Sequence, residues 1–433
     1  MKLGLVALVI SIAAFNQAQA ATAPFKGYLI KLRKPVSARS LNALSSLGVR
    51  VKNTIPEINL VVADTTPELN KKLAAQSALV EYVEPNYVVR AFAKKPDIYE
   101  QSAGGLWGMK QSGAIDAWRN LTTGSPDVVI AISDTGIWAD HFDLQANIYR
   151  NPGETGVDAN GKDKSKNKID DDNNGFVDDY SGWNFETNNN HAGDDHYHGT
   201  HVAGTVGGRG GDKQGIAGVA WNVKLMPLKF LGMDGSGTTE GGIATIIYAA
   251  KMGARAVNCS WGGDGYTQAM YDAIEYAKSK NTIVVAAAGN DSTNIDKKPD
   301  YPAAYDNENL ITVAATFSGN KELAGFSNYG EKLVHLAAPG HNIYSSFNPM
   351  YRTLYCDKWF CHLSGTSMAA PHVSGAIGLM YSVNPNLTYK QVKEILLATA
   401  VKQPKLAQKV AAGGTLQVCD AVKAAKDLAK QPH

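Results

Sequence analysis

A chain of 433 residues, 44% hydrophobic and 19% charged, is long enough for two or three domains with a sizeable core. Its 42 Lys+Arg against 40 Asp+Glu leave a formal charge of +2, which excludes the electrostatic footprint of a nucleic-acid binder and a polybasic membrane anchor. The 42 glycines have no period, so they imply tight turns rather than collagen, and chemistry carried on loops.

In chain order, Lys2, an apolar run from Leu3 to Phe15 and the small-residue pattern Ala18-Gln19-Ala20 come first, the layout of a secretory signal cleaved after Ala20. The run is too short for a spanning helix, which needs ~20 apolar residues. A secreted or periplasmic protein is expected, soluble and monomeric, with no membrane and no nucleic-acid partner. Residues 21–96 then read as a unit of their own: an extended run Gly27 to Leu32, a polar helix, a second run Ile58 to Ala63, a helix from Thr66 to Ala78 and a closing run Val80 to Val89. This alternation predicts a small α+β sandwich. Ala91 to Gly105 has linker composition, and a third unit is placed at 97–433.

Beyond the linker, apolar runs at Val128 to Ser133, Val223 to Phe230, Ala256 to Ser260, Ile283 to Ala288, Ile311 to Ala315 and Leu333 to Ala338 predict strands. Helical periodicity separates them at Thr238 to Met252, Thr267 to Lys280, Ser367 to Tyr381 and Leu387 to Ala400. The fold class is α/β, a three-layer, mostly parallel sheet with helices on both faces. Ligands of such sheets bind at the carboxyl ends of the strands, so functional residues are expected just after the runs.

Three segments fall at such positions: Ile132-Ser133-Asp134-Thr135-Gly136, His198-Gly199-Thr200-His201 and Gly365-Thr366-Ser367-Met368-Ala369. An Asp, a His and a Ser can converge into a nucleophile, its base and the group that orients the base. Each alone has a bland reading as a cap or a structural residue, but three together in this order point to acyl transfer.

In these motifs the chain, from about Trp107 onward, resembles the subtilisin-like serine proteases. The resemblance implies that Asp134 is the buried carboxylate, His198 the base and Ser367 the nucleophile, with His201 the motif's second histidine. It further implies that Asn290, after Ala286-Ala287-Ala288-Gly289, donates to the oxyanion, and that Asn258-Cys259-Ser260-Trp261-Gly262-Gly263 lines the cleft. There Ser260, Gly262 and Gly263 are expected to hold an extended peptide by its backbone, and Trp261 to wall the apolar subsites. Asp291 is expected at the rim of the main specificity pocket, pointing to tolerance for basic side chains. Protein or peptide substrates follow. So does a zymogen, because Tyr28 to Val89, with Val83-Glu84-Pro85-Asn86-Tyr87, resembles the family's propeptide inhibitor, which assists folding and is cut away by the enzyme itself.

Between the Asp and His motifs lies Asn167-Lys168-Ile169-Asp170-Asp171-Asp172-Asn173-Asn174-Gly175-Phe176-Val177-Asp178-Asp179. Oxygen ligands at alternate positions followed by glycine resemble the first half of an EF-hand loop, so Asp170, Asp172 and Asn174, with the Phe176 carbonyl, are expected to wrap a structural calcium ion. Ser181 stands where the bidentate glutamate would be, which leaves Asp178 or Asp179 to close the shell, with Asp179 assigned. Cys356 and Cys361 are expected to staple a loop in an oxidising compartment, and Cys259 and Cys419 to pack as thiols. Two competing readings are weaker. His196, His198 and His201 with Asp194 and Asp195 lack the His-Glu-x-x-His spacing of a zinc hydrolase, and a degenerate binding module would not need all four catalytic residues intact.

Overall fold

The computed structural model describes residues 23–92, 106–212, 214–319, 322–351 and 356–430. The expected signal sequence, and the linker beyond Phe92, lie outside the described residues. Among the described residues no helix is long and apolar enough to cross a membrane.

The first unit comprises β1 (Phe25–Leu32), α1 (Ala38–Ser46), β2 (Arg50–Ile55), β3 (Leu60–Asp64), α2 (Pro67–Ala74) and β4 (Val80–Ala91). Its strands pair antiparallel in the order β2-β3-β1-β4. Ser37 caps α1 through a capping box, and Thr66 caps α2 with Pro67 in the first turn, where its missing N–H costs nothing. Side chains alternate across the sheet. Ile30, Leu32, Val61 and Ala63 face Leu44 and Leu73 of the unit's own helices, whereas Leu29, Leu60 and Val62 join the core of the larger domain. Strand β2 has no counterpart in the sequence reading because Arg50-Val51-Lys52-Asn53-Thr54 is polar, as an exposed edge strand tends to be.

The larger domain continues with α3 (Trp107–Gln111), α4 (Ala114–Asn120), β5 (Val129–Asp134), β6 (Trp183–Asn184), α5 (His198–Gly207), β7 (Lys224–Lys229), β8 (Ser236–Thr238), α6 (Thr239–Lys251), β9 (Ala256–Cys259), β10 (Trp261–Gly262), α7 (Gln268–Ser279) and β11 (Ile283–Ala287). It ends with β12 (Leu310–Thr316), β13 (Leu336–Pro339), β14 (Ile343–Ser346), β15 (Phe360–Leu363), α8 (Thr366–Val383), α9 (Tyr389–Ala398), β16 (Val401–Lys402), β17 (Gly414–Thr415) and α10 (Val418–Leu428). The main sheet runs β16-β17-β13-β12-β11-β9-β5-β7-β6, parallel except at β16. Strands such as β11 and β12 are buried along their whole length because helices cover both faces. Ile130, Ile132 and Val285 pack with Val202, Val373 and Ile377 of α5 and α8, while Ala131, Val257 and Val284 face Ile243, Ile246 and Ile274 of α6 and α7. Strand β5 lies between β7 and β9, so the chain departs from it in both directions and leaves a crevice at its carboxyl end.

The first unit docks on the N-termini of two helices. The Glu84 carboxylate accepts from Gln268 N and Ala269 N at 2.9 Å each, opening α7, and Asn86 Oδ1 accepts from Glu240 N at 2.9 Å in the first turn of α6. Lys31 and the Tyr82 hydroxyl both reach Asp272.

Candidate active site

Asp134 is the last residue of β5 and is fully buried. Its Oδ1 accepts from Thr135 N at 2.7 Å and lies 2.7 Å from His198 Nδ1, so the carboxylate fixes the imidazole with Nε2 outward. His198 opens α5, and its Nε2 is buried without a hydrogen-bond partner. Gly199 follows because a Cβ there would lie 2.1 Å from the Gly136 carbonyl oxygen, the closeness that brings α5 against the end of β5.

A second carboxylate, which the sequence reading considered only as a zinc ligand, braces this junction. Asp194 accepts from Thr135 Oγ1 at 2.8 Å, His196 N at 2.9 Å, Thr200 N at 3.0 Å and Thr200 Oγ1 at 2.5 Å. Burial pushes its carboxyl up to about 6. His201 donates from Nε2 towards the Ile343 and Cys361 carbonyls at 3.0 Å each, and burial pushes its imidazole down to about 3, so it is a neutral structural residue. Asp194 and His201 are thus committed to structural hydrogen bonds, and the candidate metal cluster among the described residues lies elsewhere, at Glu154, Asp170 and Asp172.

Ser367 lies in the first turn of α8. Pro371 has no N–H to offer the Ser367 carbonyl four residues back, and the Ser260 hydroxyl fills that gap at 2.9 Å. The Ser260 carbonyl in turn accepts from Ser367 Oγ at 2.9 Å. Ser260 thus holds Ser367 by two hydrogen bonds. Asn290 follows Gly289, whose φ of +101° suits the turn after β11, and Asn290 Oδ1 accepts from Thr366 N at 2.9 Å and Thr366 Oγ1 at 3.0 Å. That contact fixes the amide so that Nδ2 points into the cleft.

The cleft is filled by the chain's own β4. Trp261 and Gly262 of β10 pair antiparallel with Ala91 and Arg90, and on the other side β8 pairs Ser236, Gly237 and Thr238 with Arg90, Val89 and Val88. A Cβ at Gly263 would stand 3.0 Å from the Val88 carbonyl oxygen. Beyond the strand, Phe92 N donates to Ser260 O at 3.1 Å and Phe92 O accepts from Asn290 Nδ2 at 2.9 Å.

With β4 in the cleft the Trp261 indole is fully buried: it donates to Ser133 Oγ at 3.2 Å, packs edge-on against Phe230 and shares a core cluster with Val89 of the bound strand. Asp291 is exposed, with its N–H held by Asn328 Oδ1, and its charge acts on the buried Asp300. The buried acid near the Phe92 ring is Asp300, which the sequence gave no reason to single out.

The acidic loop also assembles differently from the expectation. Oxygens of Glu154, Asp170 and Asp172 lie within 4.8 Å of one another. Asp179 does not join them, because Asn151, Asn174 and Tyr248 take up its carboxylate. Asn174 Oδ1 accepts from Phe176 N at 2.8 Å, and the Phe176 ring packs edge-on against Trp183 and Tyr248. Glu154 is fully buried and its Oε2 has no hydrogen-bond partner, while Asp170 Oδ2 accepts from Gly175 N at the loop's turn. A buried carboxylate with an unpaired oxygen, gathered with two further carboxylates, suits a hard cation. Cys356 and Cys361 form a disulfide in the β14–β15 hairpin, next to the carbonyl that holds His201, while Cys259 is a buried thiol and Cys419 a half-buried one.

An Asp, His and Ser at the carboxyl edge of a parallel sheet, above a cleft that holds an extended strand, define a subtilisin-like architecture. The chain belongs to the subtilase family, whose model matches residues 125–416. It is 34% identical over 334 residues to subtilisin-like protease 1 of Plasmodium berghei (strain Anka), covering 73% of this chain and 53% of that protein. It is also 34% identical over 315 residues to the thermophilic serine proteinase of Bacillus sp. (strain AK1), covering 73% of this chain and 66% of that one. The chain therefore spans about half to two thirds of the length of these relatives. The fold matches fervidolysin from Fervidobacterium pennivorans, a keratinolytic enzyme related to subtilisin, with a TM-score of 0.72 at 22% identity over 94% of this chain and 65% of that one. It also matches the epidermin leader peptide processing serine protease EpiP from Staphylococcus aureus, with a TM-score of 0.69 at 23% identity over 94% of this chain and 99% of that one.

Proposed function

We propose that the protein is an exported serine endopeptidase made as a zymogen, and that residues 23–92 are a propeptide whose last strand occupies the cleft as a substrate does. The observation that carries the reading is Phe92: its N–H meets Ser260 O and its carbonyl oxygen meets Asn290 Nδ2, beside Asp134, His198 and Ser367. The bond to be cut is then Phe92–Ala93, four residues before the end of the 21–96 segment read from composition.

In the reaction the Ser367 hydroxyl turns from Ser260 O to His198 Nε2, the open acceptor, and its oxygen attacks the carbonyl carbon. His198 takes the proton, and Asp134, bonded at Nδ1, stabilises the imidazolium. Negative charge moves onto the carbonyl oxygen, where Asn290 Nδ2 and the Ser367 N–H in the first turn of α8 receive it. Collapse expels the amine with the proton from Nε2, leaving the acyl group as an ester on Ser367. Water, deprotonated at Nε2, then releases the acid and restores the hydroxyl. Protein and peptide substrates follow the path of β4, held between β8 and β10 by backbone hydrogen bonds.

A calcium ion fits the carboxylates of Glu154, Asp170 and Asp172, where it offsets repulsion between like charges and secures the long loop between Asp134 and His198. It supplies stability and no step of the chemistry.

A serine-directed fluorophosphonate tests the assignment. The processed protein should be labelled at Ser367 and cleave a denatured protein substrate, and Ser367→Ala should do neither. Labelling elsewhere, or proteolysis by the alanine variant, would overturn it.

A further inference from the structure

Asp300 is an acid that the reaction does not use. It is 7% exposed, just before the Tyr301–Pro302 turn, and its Oδ1 is buried without a hydrogen-bond partner. Two glycines locate it. A Cβ on Gly262 would stand 2.5 Å from Phe92 Cζ and 2.7 Å from Asp300 Oδ1, and one on Gly289 would stand 2.8 Å from Asp300 Oδ2. Gly262 belongs to the strand that binds the peptide backbone and Gly289 precedes the oxyanion donor, so the carboxyl lies where the side chain before the scissile bond ends. The Phe92 ring points at it and offers it nothing. Asp264 and Asp291 add negative potential at the same place, against which Lys298 acts.

The carboxyl has a backbone hydrogen bond from Gly263, but its buried Oδ1 is left unpaired among negative neighbours, a cost that falls when a cation reaches it in a dry pocket. Lysine and arginine are longer than phenylalanine, and their aliphatic stems can follow the walls that now hold the ring while the charged end meets Oδ1. We propose that Asp300 determines specificity at the residue before the scissile bond, and that the mature enzyme cleaves after lysine and arginine in preference to phenylalanine. This rests on the endopeptidase reading above. It also gives the propeptide's phenylalanine a role: the segment is held by strand pairing and by its contacts to α6 and α7, and it leaves the pocket's charged end unused. Cutting within one chain needs little affinity at that position, since the bond is already in place. A product that leaves the pocket unsatisfied is then readily displaced by a basic substrate.

The test compares kcat/KM for peptides identical except for Arg, Lys or Phe before the scissile bond, with active sites counted by the fluorophosphonate. The wild-type enzyme should favour Arg and Lys over Phe by about tenfold or more, and Asp300→Asn, nearly the same shape without the charge, should remove that preference while leaving the Phe substrate within about threefold. Equal loss on all three peptides would show a structural role and overturn the proposal. If Asp300→Asn does not fold, the wild-type ratio alone decides, and a preference for Phe overturns it. An enzyme that takes the label but prefers Phe contradicts the role of Asp300 alone, whereas one that neither takes the label nor cleaves any peptide contradicts the endopeptidase reading as well.

Discussion

Replacing Asp194 by alanine should damage stability and turnover together while sparing substrate affinity. Its four hydrogen bonds join the residue after Asp134 to the first turn of α5, which carries His198, and Thr135 Oγ1 extends the brace by accepting from Gly199 N at 2.9 Å. The two threonine hydroxyls can re-aim when the carboxylate goes, but the His196 and Thr200 N–H groups are left facing a void. Each stranded donor costs ~1–3 kcal/mol, and removing one partner from a buried charged network costs ~3–5 kcal/mol in total. For a domain this large, a loss of 1 kcal/mol lowers Tm by ~2 °C, so a fall of ~6–10 °C is expected. Calorimetry should be run in the Ser367→Ala background to exclude self-digestion. In the active background kcat should drop by ~10–10²-fold, because His198 loses its exact placement against Ser367. KM should hold, since Ser260 and Gly262 bind the peptide backbone independently. Asp194→Asn keeps one acceptor oxygen and should fall between the two. A Tm within ~1 °C of the parent, with kcat unchanged, would refute the reasoning.

Three further outcomes are expected. Asn290→Ala should lower kcat by ~10²–10³-fold with little change in KM, the size known for the matching donor of a subtilisin, a relative; an effect confined to KM would remove Asn290 from the oxyanion site. Calcium at a hundred times its Kd should stabilise the protein by ~2.7 kcal/mol, and chelation should lower Tm and speed autolysis without abolishing turnover; Glu154→Gln should blunt the response, and a calcium response unchanged in that variant would exclude Glu154 as a ligand. Burial raises the docked Glu84 carboxyl from 4.5 to about 7, so docking takes up a proton between those values and propeptide affinity should fall as pH rises from 5 to 8. Inhibition that is independent of pH, or equally pH-dependent in Glu84→Gln, would contradict this.

The sheet was legible because its strands are buried on both faces and read as unbroken apolar runs such as Ile283-Val284-Val285-Ala286-Ala287. The candidate catalytic residues stand out because they end those runs or open the helices that follow. What escaped depends on contacts across the chain. Strands β8 and β10 have three and two residues and exist as strands only through pairing with β4, which no local pattern encodes. That the Trp261 indole also meets Phe230 and Ser133 was not legible, because alternation fixes that a side chain leaves the strand, while the facing layer decides what it meets. Glu154 precedes the acidic loop by many residues and reaches Asp170 and Asp172 only through the fold. Asp300 looks like any turn aspartate until Gly262 and Gly289 are seen to close around it.

The most direct measurement is the intact mass and N-terminal sequence of the protein made in a protease-deficient host, wild type against Ser367→Ala. The wild-type chain should yield a mature form beginning at Ala93 and a fragment ending at Phe92, while the alanine variant should persist as one uncut precursor. Cleavage of the variant at that bond as efficiently as wild type would contradict a self-processing serine endopeptidase.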